Sequence, residues 1–170
     1  MKKLTKISAS AIIVIGFSLN SFGQATGHAS ASATIMIPIS IVHVADLAFG
    51  NVAVQAGTAG TVIMSTAGAR STGGAGGVTL PSVTGTFNAA AFTVNGDGAS
   101  TYAITLPATV TINSGGNNMT VNAFTSNPSG TGALTLGTQS LLIGATLNVS
   151  AGQAPGTYTN ASWDVIVNYN

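Results

Sequence analysis

The chain has 170 residues, of which 45% are hydrophobic and only 4% are charged, and it contains no cysteine. This length and apolar content suit one folded domain with a core and exclude general disorder, while the missing cysteines exclude disulfides. With so few basic residues, a surface that follows a phosphate backbone cannot be assembled, and this excludes nucleic acid as a partner.

The first predicted element is a secretory signal peptide in residues 1–23. Three lysines in the first six residues precede an apolar run, and small residues follow that run around Gly23. The run is too short to span a bilayer, which needs about 20 apolar residues. We therefore expect the membrane to serve only as the export route, and a mature protein of residues 24–170 that is secreted to the periplasm or cell surface.

Removal of this segment leaves Arg70 against three aspartates, a formal charge of −2. Ordinary soluble chains carry charge on about a quarter of their residues, and that charge keeps sheet edges and apolar patches from associating. The mature composition therefore favours a subunit that packs against copies of itself or against related surface subunits.

The next element is a strand predicted from residue 29 to residue 41, where the sequence reads "ASATIMIPISI". Apolar residues occupy every second position and so share one face of a strand. They are Ala29, Ala31, Ala33, Ile35, Ile37, Ile39 and Ile41. Pro38 falls on the other face and has no N–H to donate, which indicates a sheet edge or a junction between strands.

Short strand-like segments separated by Gly, Asn, Ser and Pro clusters follow along the rest of the chain. This pattern predicts an all-β fold, an antiparallel β-sandwich formed by residues 24–170 as a single domain. The stretches "NGDG" at 95–98 and "NSGGNN" at 113–118 predict tight hairpins. The Gly-rich stretch 67–77 predicts a flexible loop.

The last segment, "GTYTNASWDVIVNYN", predicts a final strand. Its alternation places Trp163, Val165, Val167 and Tyr169 on the face toward the core. Four side chains at apolar phases of their strands are predicted to be buried, namely Phe92, Phe124, Leu147 and Trp163. A chain that stops at a strand has two explanations: a partner strand completes the sheet, or the strand is an ordinary edge.

Residues for acid and base chemistry are scarce, and the sequence predicts neither an enzyme nor a cofactor. His28 and His43 are candidates for a metal site or, with Asp46, for a catalytic triad, but no nucleophile motif accompanies them. Asp97 in "NGDG" is one carboxylate without acidic neighbours, which favours a turn over a calcium site.

A carbohydrate-binding module of the cell envelope is the alternative function. Arg70 marks a carboxylate or sugar site or, equally, a solvated loop charge. Exposed aromatic rings would form a stacking platform, with Trp163 and Tyr169 as one pair. A shallow groove lined by Tyr102, Tyr158 or Trp163 would favour the carbohydrate-binding function.

Four segments together resemble a family of secreted bacterial proteins catalogued as a domain of unknown function. They are "ATIMIPISI", "DLAFGNV", "GATLNV" and "GTYTNASWDVIVNYN". That family is similar to spore coat protein U and to archaic chaperone-usher pilins. In such pilins an immunoglobulin-like sandwich lacks its last strand, and the N-terminal extension of the next subunit fills the groove.

The resemblance implies a fimbrial-like subunit in cell adhesion, with a periplasmic chaperone and an usher as partners. Pilin subunits carry a Tyr one residue from the C-terminus and a Gly about fourteen residues before the end, positions that Tyr169 and Gly156 match. Residues 29–41 correspond to the donor strand, to the donor followed by the domain's first strand, or to that first strand alone without a donor segment. The assembly residues are then Ile35, Ile37, Ile39, Ile41, Gly156 and Tyr169. The missing cysteines depart from the many pilins that have a disulfide.

Overall fold

The computed structural model describes residues 23–170, and the regular structure of these residues consists of antiparallel β-strands. The predicted signal peptide lies almost wholly outside the described residues. The strands are β1 (Ser40–Ala45), β2 (Ala48–Phe49), β3 (Ala53–Val54), β4 (Gly60–Met64), β5 (Arg70–Gly73), β6 (Val78–Thr79), β7 (Phe87–Asn88), β8 (Ala90–Asn95), β9 (Thr101–Thr105), β10 (Thr109–Ser114), β11 (Asn117–Asn127), β12 (Thr131–Ala133), β13 (Thr138–Val149) and β14 (Ile166–Tyr169).

The predicted all-β, sandwich-like fold is confirmed. No helix occurs in residues 23–170, and none of them therefore belongs to a helix that could cross a membrane. Residues 35–170 form one compact unit. Residues 23–34 belong to a separate unit and are exposed and without regular structure.

The larger sheet has the strand order β1, β8, β13, β11, β10, and β4 joins it beside β13 with β5 at its edge. One edge of β13 is shared: β8 pairs with residues 138–143 and β4 with residues 145–149. Gly144 lies where the partner changes, and a Cβ there would clash with the carbonyl oxygen of Met64. A larger residue at this position would push β4 away from β13.

The smaller sheet, β12, β9 and β14, covers only part of the inner face of the larger one. Where it does, a closed core forms from Ala90, Val94, Tyr102, Leu134, Leu141 and Ile143. A second core lies under the short strand pairs β2–β7 and β3–β6. Its buried members are Phe49, Val62, Met64, Val78, Ala89, Val121, Ala145, Leu147 and Val149.

Two predicted turns have different outcomes. The hairpin at 113–118 is confirmed: β10 and β11 pair up to Ser114 and Asn117, and Gly115 and Gly116 supply φ angles of 56° and 88°. The hairpin predicted at 95–98 is wrong, because β8 lies in the larger sheet and β9 in the smaller one. This turn joins the two layers instead.

The flexible loop predicted at 67–77 is wrong for its central residues. Arg70 to Gly73 form β5, which pairs with β4 in continuous register from Met64 opposite Arg70 to Thr61 opposite Gly73. Gly-rich composition does not prevent pairing here, because β4 is already fixed by β13 and offers a free edge.

The strand predicted to begin at residue 29 begins at Ser40 in this chain. Residues 29–39 pair with no strand among the described residues. The final strand is also shorter than the alternation suggested, since only Ile166–Tyr169 pairs with β9.

Candidate functional site

An open groove of about 1220 Å³ runs along the inner face of the larger sheet, in the half that the smaller sheet leaves uncovered. Its floor is apolar and is formed by Phe92, Val110, Ile112, Met119, Val121, Phe124, Leu147 and Val149. One wall is the segment 45–54, and the other is the segment 152–163. We call this feature the apolar groove.

The floor of the apolar groove is an incompletely covered core. Val121, Leu147 and Val149 are buried, whereas Val110, Ile112 and Met119 pack against them but keep part of their surface exposed. Apolar side chains on the inner face of a sheet are normally covered by a second layer. An apolar segment that covered the exposed part of this floor would therefore stabilise the protein.

The wall 152–163 has little regular structure and is held by a few specific contacts. Thr159 forms two backbone hydrogen bonds with Asn113 of β10, at 2.8 and 3.1 Å. The hydroxyl of Tyr158 donates to the carbonyl of Ala154 at 2.7 Å and accepts from Nε2 of Gln153 at 2.9 Å. These hydrogen bonds hold the segment 152–163 in position beside the groove.

Gly156, one of the predicted assembly residues, lies in this wall. A Cβ at position 156 would clash with Oγ of Ser114 in β10. The glycine therefore allows the wall to approach the edge strand closely, and a larger residue would require the Ser114 side chain to move.

An aromatic cluster closes one end of the groove. The Trp163 ring lies 5.2 Å from Phe124 and 6.2 Å from Phe92, and Phe92 in turn meets His43 edge-on at 5.6 Å. All four line the groove.

The prediction that four residues of the core are buried is confirmed for Leu147 and wrong for three. Phe92, Phe124 and Trp163 are only partly buried. Their inner edges pack against the core, while the groove leaves their other edges accessible.

The alternation of the last segment is confirmed. Trp163, Val165, Val167 and Tyr169 are partly buried and pack against the core beneath the smaller sheet, while their neighbours Asp164, Ile166 and Asn168 are exposed. β14 pairs with β9 along one edge, and no strand of the described residues pairs with its other edge.

The hydroxyl of Tyr169 links β14 to the turn at Asp97 and to the segment that precedes β1. It accepts a hydrogen bond from the backbone N–H of Asp97 at 2.6 Å and donates to the carbonyl of Ile37 at 2.8 Å. Gly96 leaves the space for this hydroxyl, because a Cβ there would clash with it. The predicted assembly residue is thus a fixing point for the backbone at Ile37.

The four predicted assembly isoleucines divide into two pairs. Ile35 is 97% exposed and Ile37 is 59% exposed. Ile39 and Ile41 instead pack against the core formed around Tyr102. They therefore belong to the domain's own core, and the division falls at Pro38.

The titratable side chains of residues 23–170 form one pair and no larger cluster. Nε2 of His43 lies 2.9 Å from Oδ1 of Asp46, and both side chains are exposed. Within residues 23–170 no three His, Asp or Glu side chains gather as metal ligands would. Asp97 sits in the turn that joins β8 to β9, where its carbonyl accepts from the N–H of Ser100 at 3.0 Å.

Arg70 has a structural role that its Gly-rich setting concealed. Its Nη1 donates to the carbonyls of Phe49 at 2.6 Å and Asn51 at 3.1 Å, and its guanidinium lies 4.2 Å from the centre of the Phe87 ring. The cation therefore fixes the loop after β2. It is neither a solvated loop charge nor aimed into the groove.

The predicted sugar-binding aromatics are separated by the fold. Tyr102 is buried and donates to Oε1 of Gln139 at 2.8 Å, and burial raises the pKa of its phenol. Tyr158 and Trp163 both line the apolar groove. The Trp163 ring already packs against Phe92 and Phe124, at centroid distances of 6.2 and 5.2 Å.

Comparisons with known proteins give one match. The sequence model of a family described as Domain of unknown function (DUF4402) matches residues 39–169. No curated protein and no solved structure matches the chain.

Proposed function

We propose that the chain, which belongs to the family described as Domain of unknown function (DUF4402), is a secreted structural or adhesive subunit of the bacterial surface. In this proposal subunits assemble by strand donation, so that the exposed segment 29–37 of one copy fills the apolar groove of the next. The observation that carries the proposal is the groove itself, an apolar sheet face that the described residues cover only in part.

The donor and the groove are complementary in chemistry. Residues 29–37 present an apolar side chain at every second position, and each described side chain in this segment is exposed. An extended strand of nine residues reaches about 30 Å. Each Ile that passes from water into the groove would contribute roughly 1.5 to 3 kcal/mol, and no ion pair would be needed.

Pro38 marks the natural end of the donor. Ile39 and Ile41 already pack in the chain's own core. They could therefore enter the groove of a neighbouring subunit only if the start of β1 unfolded. The donor proposed here is therefore shorter than the stretch 29–41 predicted from the alternation.

The resemblance to spore coat protein U and archaic chaperone-usher pilins supports the same mechanism. Strand addition at a free sheet edge takes its affinity from main-chain hydrogen bonds and its specificity from pockets for alternate side chains. The apolar floor of the groove would supply such pockets. A periplasmic chaperone that protects the groove, and an usher that exports the subunits, are the further partners of such an assembly.

The test compares two single changes with the same chemistry. Ile35→Asp places a charge on the proposed donor at a side chain that is 97% exposed in the single chain, so the fold should be unaffected. Val83→Asp is the matched control, because Val83 is 74% exposed and lies outside both donor and groove. Gel filtration over a range of concentrations, with electron microscopy of the fractions, measures assembly.

The expected result is concentration-dependent oligomers or fibres for the unmodified protein and for Val83→Asp, and a folded monomer for Ile35→Asp. A monomer at every concentration in the unmodified protein, with no chaperone or partner subunit binding the groove, would refute strand donation. Equal assembly by Ile35→Asp would refute the choice of donor.

A carbohydrate-binding module of the cell envelope is the second candidate function. The observation in its favour is that Tyr158 and Trp163 line the same groove. Trp163 is the single tryptophan of the chain, so its fluorescence should change on titration with oligosaccharides if sugars enter the groove. An unchanged emission would eliminate this site for sugars.

A further inference from the structure

The outer face of the larger sheet carries two rows of hydroxyl and amide side chains. One row crosses three adjacent strands through Thr109, Asn122 and Thr146, which are register partners. The next row runs in the same way through Thr111, Thr120 and Asn148. Register partners in a sheet share a face, so all six side chains point away from the core.

The rows continue across β4 and β5. Ile63 follows Thr146 and is itself followed by Ser71, and Thr61 follows Asn148. Strands spaced about 4.8 Å apart, with same-face residues roughly 6.8 Å apart along each strand, make this a regular array about 19 Å wide. We call it the neutral face.

The amides of the neutral face are held in place by one another. Nδ2 of Asn148 donates to Oδ1 of Asn122 at 2.9 Å and to the carbonyl of Thr120 at 3.1 Å. The side chains of Thr109, Thr111 and Thr120 are exposed. Donors and acceptors that are already ordered lose less conformational entropy when a ligand binds.

No ionised side chain of residues 23–170 stands in these rows. Arg70 pairs with buried Met64 in the β4–β5 register and so points to the opposite side of the sheet, where it binds the carbonyl of Phe49. Asp46, Asp97 and Asp164 lie outside the five strands of the array. A charged polymer would find nothing here to pair with, whereas an uncharged hydroxyl-rich one would find matching hydrogen-bonding groups.

We propose that the neutral face binds a neutral polysaccharide. The threonine hydroxyls and asparagine amides bond the sugar hydroxyls, and Ile63, which is 40% exposed, packs against the C–H face of a sugar ring. This surface lies on the other side of the sheet from the apolar groove. Binding there is independent of strand donation, and it gives an assembled subunit a means of adhesion along its exposed side.

The experiment measures binding of the full secreted protein to dextran and soluble starch, with alginate as the charged counterpart, by isothermal titration at low and high salt. The double variant Thr111→Val/Thr120→Val keeps side-chain shape and strand preference but removes two hydroxyls from the array. Thr131→Val removes an exposed strand hydroxyl from β12 in the smaller sheet and is the matched control.

We expect binding to at least one neutral polymer that does not weaken with salt, and roughly a fivefold loss for each hydroxyl removed from the array. Thr131→Val should bind as the unmodified protein does, and all variants should keep the same urea midpoint. Trp163 emission should not change on binding, because the ligand does not enter the groove.

Three results would overturn the proposal: no binding to either neutral polymer, tighter binding to alginate, or equal losses in Thr131→Val and the double variant. A change in oligomer size in the double variant, without any polysaccharide binding, would instead identify the face as a contact between copies. None of these results bears on strand donation, which Ile35→Asp tests separately.

Discussion

Phe124→Ala tests whether the groove is an open part of the core. Phe124 packs against both cores, and its ring lies 5.2 Å from Trp163. A fully buried Phe→Ala change costs about 3 to 5 kcal/mol, of which part is the cavity left behind. Here water can enter from the groove, so no closed cavity forms. About 100 Å² of lost apolar burial then gives roughly 2.5 kcal/mol, and the lost aromatic contact adds about 1 kcal/mol.

The expected loss in the free energy of unfolding is therefore about 3.5 kcal/mol for the isolated subunit. Urea unfolding followed by far-UV circular dichroism measures it, and Trp163 fluorescence should shift to longer wavelength because its neighbour is gone. Val83→Ala, at a side chain that is 74% exposed, should change stability by less than about 0.5 kcal/mol. A loss below about 1 kcal/mol for Phe124→Ala, or an unchanged Trp163 emission, would refute the description of this cluster.

Two further predictions concern polar groups of the core and the loop after β2. Burial raises the pKa of Tyr102 above its ordinary value of 10.0, so the unfolded chain loses this proton first and the free energy of unfolding should fall as pH rises above 10. Tyr102→Phe should cost about 1 kcal/mol at neutral pH and reduce that alkaline slope, as urea unfolding over a pH series would record; an equal slope in both proteins would contradict the assignment. Arg70→Gln should cost about 2 kcal/mol by removing charged donors to two carbonyls and the contact with Phe87, and an unchanged urea midpoint would mean that the loop holds without it.

Two features of the fold that depend only on local geometry could be predicted from the sequence. The inward face of residues 163–169 follows from alternation alone, since successive side chains of a strand point to opposite sides. The hairpin at Gly115 and Gly116 follows from the positive φ that a two-residue turn requires. Both depend on residues close together in the chain.

Features that depend on distant partners were not predictable in this way. Ile35 and Ile39 occupy equivalent positions in one alternating run, yet one is exposed and the other packs in the core, because only the stretch from Ile39 onward reaches the core under the smaller sheet. Arg70 looked like a loop charge because its partners, the carbonyls of Phe49 and Asn51, are about twenty positions earlier. Carbonyl groups leave no signal in a sequence.

The groove was expected only through the resemblance to pilins. Alternation places Phe92 and Phe124 on the inner face of the sheet, but it does not tell how far the second layer extends over that face. These rings are partly exposed because the second layer does not extend over them. The sequences of the strands that carry them do not indicate where that layer ends.

The shared edge of β13 has a consequence for how the chain folds. Leu147 pairs with Val62, Leu141 with Phe92, and both pairs join residues far apart in sequence. Contacts of this kind form slowly, because a long loop must close before the contacts stabilise it. Both β4 and β8 precede β13 in the chain, and their edges stay open to other chains until β13 pairs with them. The central strand is thus the step at which a nascent subunit is most exposed to aggregation, and a holdase that covers β4 and β8 would act at that moment.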